Sequence, residues 1–453
     1  MSKLTLFSAA LAATLTASLG ASAQSQPWVA DSDLGEGVGV RAGNVELHPG
    51  VAGEFGYDSN YYQRSGDQPQ ERPIVDVWRF RLTPSFSLNT LGKKRREAAG
   101  GGAPPKLNIN ANLFAAYNEL FQAGSEEPGQ LPRRRYLDAG AGLKLDILPV
   151  SVVGADLFGD FLRTMEPSNN PETADAWDRD TVRAGTGVTW RPLGGILSWR
   201  LGYEFQYHYF EQEAFQDLNN IQHYLDTRGA FRFLPRTALI YDARYGFINY
   251  TRDNTTQNGG QNVRSRVGIN SLITQRFAAM ALVGWAASFY RQDGNAAVHN
   301  YDSVTGQAEL RYYLMPQPKL QPGEVPVGLS SVVAGVTRDY TNSYLGDYYS
   351  RNRGYLGLSY FIANRAVLDL QGGYSYIQYP DFELGGNVIQ VDNSSRIDAQ
   401  LFAEYRVTQT VGINTTLRYD KSLTDVNIPL AAGVVDNLAY SRFQAWLGAR
   451  WFM

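Results

Sequence analysis

Apolar and polar residues alternate along this chain with a period of two. From Leu197 to Tyr209 the odd positions are Leu197, Trp199, Leu201, Tyr203, Phe205, Tyr207 and Tyr209; the even ones are Ser198, Arg200, Gly202, Glu204, Gln206 and His208. Successive side chains of a strand point to opposite faces, so this stretch reads as a strand with one apolar and one polar face. It is longer than the common globular strand of about five to six residues. The rhythm returns elsewhere. Phe80, Leu82, Pro84, Phe86 and Leu88 alternate with Arg79, Arg81, Thr83, Ser85 and Ser87, and Val411, Ile413 and Leu417 alternate with Gly412, Asn414 and Arg418. About eighteen such segments can be placed, from 44–58 and 74–90 to 410–420 and 439–453, with ends good to a few residues.

A two-faced strand fits a sandwich, with core against water, or a membrane barrel, with lipid against lumen. Strand length favours the barrel. So do the aromatics at the ends of the apolar faces (Tyr207, Tyr209, Tyr250, Tyr376, Tyr379 and Trp451), which suit interfacial girdles. Connection lengths add an independent reason. With a periplasmic N-terminus, connections after odd strands face outward, and 59–74, 164–178, 380–394 and 421–437 are long and polar. Those after even strands, such as 148–150, 234–236, 275–276 and 363–364, are tight. Long outside and short inside is the asymmetry of outer-membrane barrels. The predicted fold is therefore all-β: a single antiparallel transmembrane β-barrel of about eighteen strands, within a range of about 16–18, set in outer-membrane lipid and lipopolysaccharide.

The ends of the chain agree. Lys3, the apolar run 4–19 and Ala21-Ser22-Ala23 form a secretory signal with its cleavage site. The expected organisation is a signal peptide over 1–23, a periplasmic segment over 24–43 and the barrel over 44–453. No Cys follows the site, so a lipid-anchored form is not expected, and no later run of apolar residues is long enough for a membrane helix. The last segment alternates Phe443, Ala445, Leu447, Ala449, Trp451 and Met453 on one face. It resembles the terminal signal read by the barrel-assembly machinery, although it ends in Met453 rather than Phe and carries Trp446 where a polar residue is usual.

Composition narrows the chemistry. With no Cys there is no disulfide, thiolate metal site or thiol nucleophile. A net charge of −3 gives no argument for nucleic acid. The four His, at 48, 208, 223 and 299, lack metal-ligand spacing, and no Gly-x-Ser-x-Gly occurs. His208 beside Glu204 reads as structural, and Asp175, Asp178 and Asp180 as solvated charge near an outer connection. No enzyme, metal or cofactor is expected.

Placing the polar faces inward gives the expected pore lining. Arg228, Arg232, Arg244, Arg264 and Arg266 come from strands eight to ten, together with Asp226 and Asp242. Arg418, Arg442 and Arg450 gather at the closing seam, with Arg79 and Arg81 close by. Asp138, Asp146, Asp156 and Asp160 come from strands four and five, and Asn108, Asn110 and Asn112 form a neutral ladder on strand three. Basic patches facing an acidic wall would set a transverse field across a watery pore. Two inner connections are unusually long. One, 91–105, holds Lys93, Lys94, Arg95, Arg96 and Glu97; the other, 315–326, is rich in proline. The basic run is a candidate docking surface for a periplasmic partner.

The first strand and its turn read Leu47-His48-Pro49-Gly50, then Gly56-Tyr57-Asp58-Ser59-Asn60-Tyr61-Tyr62. This opening resembles the β-barrel porin type 2 family of outer-membrane proteins. Some barrels of that kind partner periplasmic polysaccharide-export proteins. The resemblance thus implies export of capsular polysaccharide or exopolysaccharide with such a partner; a general diffusion porin for small solutes is the alternative. Within the motif, Asp58, Ser59 and Asn60 suit turn chemistry better than ligand binding. Deleting residues 93–97 is expected to weaken co-purification of a periplasmic partner, and unchanged recovery removes the docking surface.

Overall fold

The computed structural model describes residues 39–66, 74–91, 106–123, 134–165, 178–252, 258–292, 298–314, 330–343, 347–362, 365–380, 382–384, 387–389, 393–424, 427–429, 435–437 and 439–453. The signal peptide, most of the periplasmic segment, and Lys93, Lys94, Arg95 and Arg96 lie outside the described residues. Nineteen strands form one sheet. Setting aside the three-residue Val40–Ala42, which pairs with Val45–Leu47, eighteen strands make the wall.

In chain order these are β1 (Val45–Asp58), β2 (Val77–Thr90), β3 (Leu107–Gln122), β4 (Arg135–Ile147), β5 (Val153–Thr164) and β6 (Arg179–Trp190). Then come β7 (Leu197–Phe210), β8 (Asn220–Leu234), β9 (Thr237–Tyr250), β10 (Gly260–Leu272), β11 (Phe277–Tyr290) and β12 (Tyr301–Tyr313). The last six are β13 (Ser331–Asn342), β14 (Tyr348–Ile362), β15 (Ala366–Gln378), β16 (Ser394–Arg406), β17 (Val411–Leu423) and β18 (Tyr440–Phe452). Each pairs antiparallel with its sequence neighbour, and β18 pairs back onto β1 from Gly50↔Phe452 to Asp58↔Gln444. The sheet is closed, which leaves no edge strand within the wall.

The expected faces are the observed ones. Phe55, Leu113, Val283, Leu356 and Leu447 are exposed on the outside, while Glu54, Arg81, Asn118, Gln206 and Thr416 on the other parity are buried inside. An apolar band around a polar interior is the reverse of a soluble protein and is what a bilayer requires. The chain is therefore an outer-membrane β-barrel. Tight inner turns follow from short polar side chains. Thr274 Oγ1 accepts the N–H of Arg276 at 3.2 Å and of Phe277 at 3.0 Å, and Thr408 does the same for Thr410 and Val411.

The opening motif sits at the seam between first and last strands. Asp58 is fully buried, and it accepts from Arg442 Nε at 2.9 Å, Gln444 Nε2 at 2.8 Å and Arg79 at 3.3 Å. One carboxylate thus ties β18, β1 and β2 together. Ser59 Oγ accepts the N–H of Phe443 at 2.8 Å, and the Asn60 side chain bonds backbone of Arg64 and Ser441. Turn chemistry describes Ser59 and Asn60; Asp58 instead is the counter-ion of the seam. Gly56 is needed where Trp446 turns inward, since a Cβ there would stand 2.4 Å from the indole. Asp58→Asn leaves two buried guanidinium groups short of a counter-charge, a loss of about 3–5 kcal/mol. Heat-modifiable gel mobility should show a lower unfolding temperature for this variant, whereas an unchanged midpoint would mean that the seam closes without the clamp.

Candidate pore constriction

Strand parity places all fourteen proposed lining residues on the interior face, in three different settings. The first is the seam. Arg79 and Arg81 stack on the Trp446 ring at 4.8 and 4.4 Å, Arg81 pairs with Glu54 at 2.6 Å, and Arg450 pairs with Glu404. With Arg442 on Asp58, these four arginines are each less than a tenth exposed and belong to the packed wall. Arg418 pairs with Asp420 at 2.6 Å beside them.

The second setting is the stretch from β5 to β10. Asp160 pairs with Arg183 at 2.9 Å, Arg200 bridges Asp156 and Asp226 at 2.6 Å each, and Arg266 pairs with Asp242 at 2.9 Å. The expected division into a basic and an acidic wall therefore does not form here. Arg183 on β6 and Arg200 on β7 stand between the acidic strands and the basic ones, and both pair with carboxylates of neighbouring strands. Both arginines lie on the polar parity of their segments, so carrying the alternation through every strand would have found them. His208 bonds Thr181 Oγ1 at 3.1 Å, and Glu204 pairs with Arg244 at 3.1 Å.

The third setting is open. Asn110, Arg228 and Arg232 are exposed on the interior face, with Asn108 and Asn112 half-buried beside Asn110.

Two segments fold inward at the outer mouth. Tyr61 and Tyr62 leave the end of β1 and pack with Val75, Val77, Leu120, Tyr136 and Met165. On the other side, the tip of the β13–β14 hairpin departs from the wall. The β12–β13 ladder ends at Gly306↔Arg338, although β12 runs on to Tyr301 and β13 to Asn342. The freed tip lies against inward side chains of β10–β12. Tyr340 stacks on Tyr301 at 4.3 Å and its hydroxyl donates to the Ala287 carbonyl at 3.0 Å. Tyr290 donates to Asn342 at 2.7 Å, and Arg264 pairs with Asp339 at 3.2 Å. Asp347, just beyond the tip, accepts from Asn258 Nδ2 at 3.0 Å and from the His299 N–H at 2.7 Å.

Between this tip and β5–β10 remains a cavity of about 190 Å³. Arg179, Arg183, Arg244 and Arg264 line one side, and Asp339 to Ser343 the other. Arg244 lies 3.7 Å above the Tyr224 ring, which fixes its guanidinium toward the space. Sequence reading missed this constriction. Its signal is the short connection 343–347, on the mouth where other connections are long.

Fold and interior together define a closed outer-membrane β-barrel with a charged, narrowed lumen. No family model matches the chain, and no curated protein matches its sequence. Among solved structures it is similar to a BenF-like porin from Pseudomonas fluorescens Pf-5, with 8% identity, a TM-score of 0.46, and coverage of 91% of this chain and 99% of that one. It is also similar to Acinetobacter baumannii OccAB2, at 10% identity and TM-score 0.46, covering 90% and 98%. A third is Pseudomonas aeruginosa OpdK with vanillate, at 11% identity and TM-score 0.44, covering 90% and 99%. At such identities and scores none of them says what this barrel carries. None of these findings bears on polysaccharide export.

Because the chain has no Cys, single cysteines report each face cleanly. Asn110→Cys in membranes is expected to react with a charged, membrane-impermeant thiol reagent, and Leu113→Cys to be protected. Equal labelling of both would contradict the assignment of faces.

Proposed function

We propose that this barrel is a passive outer-membrane channel for small polar solutes, with a bias toward anions set at the constriction between β6–β10 and the β13–β14 tip. One observation carries the reading: a cavity of about 190 Å³ lined by four arginines and opposed by a short polar hairpin. Asp160, Glu204 and Asp339 balance Arg183, Arg244 and Arg264. Among the described residues no carboxylate pairs with Arg179, so the rim carries an excess positive charge. Charge in a narrow aqueous passage, with low-dielectric walls on either side, biases which ion enters. An extended polymer would have to displace the tip, so the diffusion alternative is favoured over the export that the opening motif implies.

Reconstituted in planar bilayers under a salt gradient, the protein should conduct with a reversal potential of anion-preferring sign. Arg179→Glu changes the rim by two charges. At about 8 Å in water the two are worth roughly 1 kcal/mol, opposite in sign for anion and cation, so the anion-to-cation permeability ratio should fall about thirtyfold. Arg232→Glu, at the inner end of β8, should change it less. Absence of conductance would refute the proposal, and loss of cell-surface polysaccharide from a strain lacking the protein would restore the export reading.

A further inference from the structure

We propose that the membrane face of β11–β15 holds one phosphorylated lipid of the outer leaflet, its phosphate on Arg338 and an acyl chain in the groove below. Arg338 is an exposed cation on the parity of Val332 and Val336, both of which face lipid. The register sets it in one row with Val283, Gly306, Asn352 and Tyr376. Trp285 stands one row outward, paired with Val304, and Tyr374 one row inward, paired with Gly354. These aromatics mark the interfacial girdle, the depth of lipid headgroups.

The broken ladder explains how an arginine is held at this depth. Where β12 and β13 part, Arg338 Nε donates to the Val304 carbonyl at 3.0 Å, one terminal nitrogen to Ser303 Oγ at 3.1 Å, and the other to Asn352 Oδ1 at 3.1 Å. A guanidinium has five N–H donors. Three are used here, and one on each terminal nitrogen is left, the arrangement that takes two oxygens of one phosphate. Among the described residues no carboxylate pairs with Arg338.

Below it the wall is hollowed. Gly306 removes the side chain next to Arg338, and Ala281, Ala308 and Gly354 line the following row. The resulting groove has a volume of about 730 Å³ and is bounded by Val283, Val336 and Tyr374. An apolar slot ending in a fixed cation at headgroup depth is complementary to an anionic lipid, which brings chain and charge together. This inference does not depend on what the lumen passes.

The test uses purified barrel in detergent and native mass spectrometry with diphosphorylated lipid A, its dephosphorylated form, and inorganic pyrophosphate. One diphosphorylated lipid A per barrel should be retained in preference to the dephosphorylated form. Arg338→Gln should lower retention about tenfold and abolish the preference for phosphate, and Arg338→Lys should keep part of it. Ala308→Leu, which fills the slot, should weaken retention but leave the phosphate preference. Heat-modifiable mobility confirms folding of each variant. Equal retention by wild type and Arg338→Gln, equal retention of both lipids, or displacement of the lipid by pyrophosphate at matched concentration would each overturn the proposal.

Discussion

Every backbone amide inside a bilayer must find its partner within the protein, because lipid offers none. For an all-strand chain this means the first strand must meet the last. The rest of the structure follows from that closure. It fixes the alternation of faces, since slipping one strand by one residue would turn its apolar face inward. It also explains why buried charge is concentrated where β1, β2 and β18 join. Asp58 binds groups from two other strands, and Arg79 and Arg81 share the Trp446 ring with it close by. A buried ion pair costs desolvation, and its best-attested use is to specify register. At the seam, where residues far apart in sequence must align, register is what has to be specified.

Much of the fold was legible because membrane strands write both faces into the sequence. Leu197–Phe210 and Tyr440–Phe452 can be read almost to the residue, as outward positions are mostly apolar and inward ones mostly polar or small, with Trp446, Phe210 and Phe452 as inward aromatic exceptions. Tight turns were legible for a local reason, since Thr274 and Thr408 close their turns with their own side chains. The interior was legible in parity and not in partnership. Asp156 was placed on the lumen face, but its bond to Arg200 spans two strand boundaries and depends on the stagger of a closed barrel. The constriction was less legible still. Apart from the short connection 343–347, nothing local to Asp339 or Tyr340 announces that β13 leaves the wall; the contacts that hold it are with β10, β11 and β12.

The interior charges serve two purposes, and burial separates them. Those at the seam are packed against an indole and one another, where ordering matters more than access to solvent. Those on β6–β10 border open space. Their pairing with lateral neighbours keeps each guanidinium oriented without neutralising the rim, because Arg179 adds a charge that the local pairs do not cancel.

Above Gly306 the inward tip of the hairpin joins β10–β12 through side chains, not through the ladder. Aperture is thereby uncoupled from closure. Substitutions at Tyr340 or Asn342 can resize the passage while leaving the strand-to-strand bonds of the wall in place. Related sequences could therefore diversify in what they admit through a handful of positions on one hairpin, with the costly problem of building a barrel solved once and left alone.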